Sequence, residues 1–135
     1  MGELTGHCNC GGVRFTITAP LLDASYCHCT RCQRRTGTAA SANGRLEPGS
    51  LRIDAGEELL RAWSPPDGWE KVFCGRCGSS LFSRDPRHPE RGGVRLGVLV
   101  GDPGVRPSRR QFTAYAAPWE PIPDDGLPRF PERLT

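Results

Sequence analysis

Phe73-Cys74-Gly75-Arg76-Cys77-Gly78-Ser79 is the stretch on which the fold turns. Two thiols three residues apart, each followed by glycine, fit a metal-binding knuckle. The glycines at 75 and 78 allow a tight turn, and backbone N–H groups can then point at the sulfurs. The segments flanking Cys74 and Cys77 read as strands, so the knuckle closes a hairpin.

Five more cysteines lie upstream, as Cys8-x-Cys10 and Cys27-x-Cys29-x-x-Cys32. Thiolates at these spacings can grip one ion without closing a long loop. Zinc takes four ligands in a tetrahedron, so seven thiolates divide into four plus three. A closed four-sulfur site is structural, whereas a three-sulfur site keeps one position open for chemistry. Spacing alone leaves the partition open. Cys8 and Cys10 can join Cys74 and Cys77, leaving Cys27, Cys29 and Cys32 together. Alternatively, Cys29/Cys32 can pair with Cys74/Cys77 and strand the rest. The first is simpler because it keeps the tight trio intact.

Working outward, 135 residues amount to one domain. Several segments alternate with period 2, as half-buried strands do: Val13/Phe15/Ile17, Leu51/Ile53, Val94/Leu96/Val98/Val100 and Phe112/Ala114/Ala116. Shorter strand candidates are Ala24–Cys29, Thr38–Ala42 and Leu59–Trp63. One short helix fits between Thr30 as N-cap and Gly37 as stop, with Arg34 and Arg35 in its last turn. Pro118–Pro131 carries five prolines and reads as an extended tail draped over the domain, pinned by Trp119, Ile122, Leu127 and Phe130. The expected architecture is therefore mainly β: a single domain over 1–135 of short antiparallel strands, with a zinc-knuckle hairpin, one short helix and a Pro-rich C-terminal tail.

Composition narrows the function classes. The longest apolar-plus-glycine run, Leu96–Gly101, is six residues, far short of the about 20 a membrane helix needs. Met1–Cys10 has no basic start followed by an apolar core, so no secretory signal is expected. An odd number of cysteines without export fits a reducing, cytoplasmic setting rather than a disulfide framework. The formal net charge of +3 is mild, and acidic residues are interspersed among the 17 arginines and the single Lys71. Nucleic acid is not an expected partner. Arg31, Arg34 and Arg35 can offset thiolate charge, and Arg34 and Arg35 are candidates to grip a substrate carboxylate. His28 should face away from an ion held by Cys27 and Cys29, because neighbours on an extended segment point to opposite faces.

Three stretches together resemble a known family: Gly6-His7-Cys8-Asn9-Cys10-Gly11-Gly12-Val13-Arg14-Phe15, Cys27-His28-Cys29-Thr30-Arg31-Cys32-Gln33-Arg34 and Phe73-Cys74-Gly75-Arg76-Cys77-Gly78-Ser79. Ala117-Pro118-Trp119 and Leu127-Pro128-Arg129-Phe130 add to the likeness, which spans about residues 6–130. The chain resembles the glutathione-dependent formaldehyde-activating enzyme (GFA, or CENP-V/GFA) family. The resemblance implies two zinc ions. It assigns Cys8, Cys10, Cys74 and Cys77 to a structural ion and Cys27, Cys29 and Cys32 to a catalytic one. It also implies carbon–sulfur lyase chemistry on the adduct of an aldehyde with a small-molecule thiol such as glutathione. Where family members often carry a His-Ile pair, this sequence reads Arg110-Gln111-Phe112. Two other functions fit the same residues: the same metals acting on a different thiol or electrophile, and a non-catalytic zinc-binding module.

Overall fold

The computed structural model describes residues 3–133. In chain order its elements are β1 (Leu4–His7), β2 (Arg14–Ile17), β3 (Asp23–Cys27), α1 (Thr30–Thr36), β4 (Ser41–Arg45), β5 (Leu51–Ala55), β6 (Leu60–Trp63), β7 (Glu70–Cys74), β8 (Ser80–Arg84), β9 (Gly92–Arg95), β10 (Arg110–Gln111) and β11 (Arg129–Phe130). Short 3-10 turns occupy Glu57–Leu59, Leu96–Val98 and Thr113–Tyr115. The protein is mainly β with one short helix.

Alternation builds the first sheet. Val13, Phe15 and Ile17 are all buried, while Arg14 between them is exposed. Phe15 and Ile17 belong to β2, which lies between β1 and β5 in a three-stranded antiparallel sheet, and Val13 just precedes it. The second sheet has eight strands in the order β11-β10-β3-β4-β9-β8-β7-β6. Its pairings are antiparallel except at one end, where the two-residue β10 runs parallel to both β3 and β11.

Phe15 and Ile17 from the first sheet meet Val72, Leu81, Phe82 and Val94 from the second in one core. Each such side chain contributes about 1.5–3 kcal/mol by leaving water. Cys8, just after β1, and Cys74, at the end of β7, are buried in the same cluster, so the core fixes one thiol beside each sheet.

Four expected elements differ. The strand expected over Thr38–Ala42 begins only at Ser41 and runs to Arg45. The Val94–Val100 strand stops at Arg95 and turns into a 3-10 segment. Leu96, Val98 and Leu99 pack on the core, but Val100, expected on the same face as Val94, is 54% exposed. Phe112–Ala116 is also a turn rather than a strand, because Phe112 adopts a left-handed φ of 57°. The helix starts one residue earlier than its sequence suggests. Cys29 rather than Thr30 is the N-cap, its sulfur accepting a hydrogen bond from the Cys32 N–H. Gly37 ends the helix as expected, in the left-handed conformation that glycine adopts without strain.

The tail is extended, yet it also joins the sheet. Prolines cannot donate, but they accept: Arg110 N–H donates to Pro128 O at 2.9 Å and Ala114 N–H to Pro131 O at 3.2 Å. Ile122, Leu127 and Phe130 are half-buried. Trp119 does not pin the tail, since it is 64% exposed.

Candidate metal centres and the cleft beside them

The seven cysteines form no disulfide and gather into two groups. Cys8, Cys10, Cys74 and Cys77 bring four Sγ atoms within 4.8 Å of one another. Cys8 Sγ lies 3.5 Å from Cys10 Sγ, which lies 3.9 Å from Cys74 Sγ. A tetrahedron with metal–sulfur bonds of about 2.3 Å has edges of about 3.8 Å. These thiols therefore already stand at ligand spacing, and the four can hold a metal ion.

The knuckle supplies the local order. Cys74 N–H donates to Ser79 O at 3.0 Å and Gly78 N–H to Cys74 O at 2.8 Å. Gly78 takes a φ of 79° to make that turn. Gly75 does not need a positive φ; a Cβ there would instead meet Leu59 O at 3.0 Å. Donors surround the sulfurs: Val13 N–H reaches Cys8 Sγ at 3.2 Å and Arg76 Nε reaches Cys10 Sγ at 3.3 Å. The Ser79 hydroxyl, 3.2 Å from Cys77 Sγ, and the Ser79 backbone N–H lower that thiol to about 5. The Arg76 guanidinium lowers Cys10. Thiolate, the metal-binding form, is thus favoured at Cys77 and Cys10 before any ion arrives, while burial raises Cys74.

Cys27, Cys29 and Cys32 form the second group, with Sγ atoms inside the same 4.8 Å limit. Cys27 ends β3, Cys29 caps α1 and Cys32 lies in its first turn. The alternative partition, with Cys29 and Cys32 joining the knuckle, is not what the fold builds. Hydrogen bonds from the Cys27 and Cys29 thiols, with help from Ser41 and the Arg35 charge, pull the Cys32 thiol well below its usual range. The same sharing pushes Cys27 up. Three sulfurs fill three corners of a tetrahedron, so a metal held here keeps one position for another ligand.

His28 sits between two of these ligands and faces away, as expected. It is 3% exposed, and its Nε2 lies 3.2 Å from Arg110 Nη1. Burial, reinforced by the Arg110 charge, lowers its basicity and keeps the ring neutral. Gln33 ties the neighbourhood together, its amide donating to His28 O and to Tyr115 O, both at 2.8 Å.

The arginines of α1 separate. Arg31 pairs with Asp67 at 2.9 Å and lies over the Trp63 ring, tethering the helix to the β6–β7 loop. Arg34 is exposed. Arg35 turns inward: its Nη2 is 3.9 Å from Cys32 Sγ, and it lines a cleft of about 180 Å³ with Trp63, Lys71, Phe73 and Ser80.

The sequence profile of the glutathione-dependent formaldehyde-activating enzyme family matches residues 3–115. The chain belongs to this family. A relative from Halomonas elongata, named after the GFA family, is 33% identical over 93 residues, covering 64% of this chain and 59% of its own. One from Emericella nidulans, named likewise, is 27% identical, covering 67% of this chain and 47% of its own. The chain thus spans about half the length of the curated GFA relatives it matches. A crystal structure of a Rhodobacter sphaeroides protein matches over 93% of this chain and 98% of its own. The two are 28% identical, with a TM-score of 0.57.

Sequence reasoning found all seven cysteines of this GFA member but missed much of what surrounds them. Lys71 and Arg95 reach the trio's neighbourhood only through sheet register. Lys71 on β7 sits opposite Ser83 on β8, and Arg95 on β9 sits opposite Asn43 on β4. Lys71 is the only lysine in the chain, and that was the one signal it offered. Arg110, the first residue of the Arg110-Gln111-Phe112 stretch, is the residue that contacts His28.

Proposed function

We propose that this protein is a zinc-dependent carbon–sulfur lyase acting on the adduct of a glutathione-like thiol with formaldehyde, in the cytoplasm. The observation that carries the proposal is the split of the cysteines into a closed set of four and an open set of three beside a basic cleft. Cys8, Cys10, Cys74 and Cys77 would hold a structural zinc. Cys27, Cys29 and Cys32 would hold a second, catalytic one. Zinc bound there supplies a coordination position for sulfur and favours thiolate over thiol. The soft sulfur ligands suit thiol handling better than water activation.

The chemistry is an addition and its reverse. The substrate sulfur bonds to the carbonyl carbon and the thiol proton ends on the former carbonyl oxygen; cleavage returns both. In this reading Arg35 from the cleft wall, with Arg34 on the exposed face of α1, holds a carboxylate of the thiol. The tether from Arg31 to Asp67 keeps the β6–β7 loop and Trp63 beside the helix that carries Cys32.

The test is Cys32→Ser. Native mass spectrometry is expected to show one zinc fewer per chain, with the four-cysteine ion retained. Formation of the glutathione–formaldehyde adduct should fall at least a hundredfold while the far-UV spectrum is unchanged. Unchanged turnover after loss of that zinc would overturn the reading. A second reading, the same metals with a different thiol or electrophile, draws on the stretch Arg110-Gln111-Phe112, which departs from the His-Ile pair of the family resemblance. A panel of thiols and aldehydes separates the two.

A further inference from the structure

Lys71 is the only lysine in the chain, and it lines the cleft without a partner. Alternation along β7 buries Val72 in the core and leaves Lys71 and Phe73 half-buried on the other face. Across the register Lys71 sits opposite Trp63 on β6 and Ser83 on β8. No described residue gives it a hydrogen bond or a carboxylate. Glu70, its neighbour in sequence, is spent on Arg84 at 2.7 Å.

What faces Lys71 is mostly positive: Arg35 and Arg31 from α1 and Arg95 from β9, with Cys32, once ionised, as the opposing charge. Arg35 Nη1 and Arg95 Nε both donate to the Ser80 hydroxyl, each at 3.2 Å, so these two cations are held in place. A half-buried amine beside fixed guanidinium groups is favoured by shedding its proton. Burial, then repulsion from Arg35 and Arg95, brings Lys71 down to about 8. An amine in that range is a nucleophile near neutral pH, which an exposed lysine at about 10.4 is not. Arg35 also stands 3.9 Å from Cys32 Sγ, so one guanidinium borders both the amine and the cysteine trio.

We propose that Lys71 Nζ is a covalent catalyst of this site: it captures the aldehyde as an iminium ion and passes the carbon to the substrate thiolate. The proposal rests on the lyase reading and deepens it, because it adds a reacting group outside every cysteine motif and gives the site an aldehyde side and a thiol side.

The step balances. The Nζ lone pair attacks the formaldehyde carbon, and a proton moves from nitrogen to the former carbonyl oxygen, giving an N-hydroxymethyl amine. That hydroxyl leaves as water, taking the proton given up by the thiol, and the nitrogen lone pair forms the C=N bond. The thiolate sulfur then bonds to the iminium carbon. Finally a water molecule replaces nitrogen at that carbon: the C–N bond breaks, the S-hydroxymethyl adduct departs and the free amine returns. One water is released and one consumed, so the net reaction is thiol plus aldehyde. The two guanidinium groups disfavour the cationic iminium as they disfavour the ammonium, which speeds its transfer to an anionic sulfur.

Reductive trapping reads the capture with no thiol present. The zinc-loaded protein is treated at pH 7 with formaldehyde and cyanoborohydride, which reduces an iminium to an N-methyl amine, and peptide mass spectrometry follows Lys71. Lys71 is expected to be methylated at least tenfold faster in the folded protein than in the same chain unfolded in urea. Equal or slower labelling in the folded protein would overturn the proposal, and this comparison needs no variant to fold. Lys71→Arg keeps the charge but cannot form the iminium. Lys71→Arg and Lys71→Met are both expected to lower kcat for glutathione–formaldehyde adduct formation at least tenfold, with unchanged zinc content as the folding control. Full turnover in Lys71→Arg would show that charge alone suffices; it would sink the covalent step and leave the lyase reading standing. Fast trapping at Lys71 in a protein that forms no thiol adduct would instead sink the lyase reading and leave the aldehyde capture.

Discussion

Arg110 Nη1 lies 3.2 Å from His28 Nε2, while the same guanidinium pairs with Asp125 at 2.7 Å and lies 4.3 Å from the Tyr26 ring centroid. One side chain thus joins the proline-rich tail to the residue between two cysteines of the trio. Arg110→Ala removes the cover from His28 and Tyr26 and the partner of Asp125. The expected loss is about 2 kcal/mol, read as a lower urea midpoint of the metal-loaded protein. A change below about 0.5 kcal/mol would show that the tail, not Arg110, covers His28.

Metal removal should be staged. Four protein sulfurs hold an ion more tightly than three, and the four-cysteine set includes Cys8 and Cys74 from the core. A chelator titration followed by native mass spectrometry is expected to release the trio's ion first with little change in far-UV circular dichroism. Release of the second ion should accompany loss of cooperative unfolding. Simultaneous release of both ions would contradict this order.

Acid stability should depend on Asp23. Burial raises this carboxyl, but Arg45 and then Arg109 outweigh it, leaving it below the usual carboxylate range. Its folded affinity for a proton is thus weaker than the unfolded one. Its stabilisation is present above about pH 4 and is lost as pH falls through the lower folded value. Asp23→Asn is expected to cost about 1 kcal/mol at pH 7 and nothing once the carboxyl is protonated. Urea midpoints of both proteins from pH 7 to 2.5 should therefore converge.

Gly78→Ala isolates backbone strain at the knuckle. No atom lies within 4 Å of the added Cβ, so only the φ of 79° opposes it. The expected cost is about 1 kcal/mol with zinc content unchanged. Loss of the four-cysteine ion in this variant would show that the turn's exact shape also sets the sulfur positions.

The cysteines and their three local clusters were legible because chelation depends on short spacing and thiol chemistry, both of which sequence displays, whereas spacing left open how the clusters combine across the fold. Phe15, Ile17 and Leu51 announced their strands by alternation. Leu96 and Val98 misled for a physical reason: a 3-10 turn also lays them on the core, while it brings Leu99 inward and turns Val100 out to solvent, against a strand's alternation. Phe112 gave no warning of its left-handed backbone, which non-glycine residues seldom adopt. Lys71, Arg95 and Ser80 could not be read as neighbours of the trio, since register across β4, β9, β8 and β7 brings them there. Arg35 was visible as a charge in the last helical turn, but its inward direction was not.

Cys10 and Cys74 lie 64 residues apart, whereas the trio closes within six. On a ribosome adding about 5–20 residues each second, Cys8 and Cys10 emerge several seconds before their partners. Through that interval they are naked thiols, open to oxidants and to whatever metal is at hand. The trio has no such wait. The trio can therefore be charged on the nascent chain, while the four-cysteine clasp is fastened last.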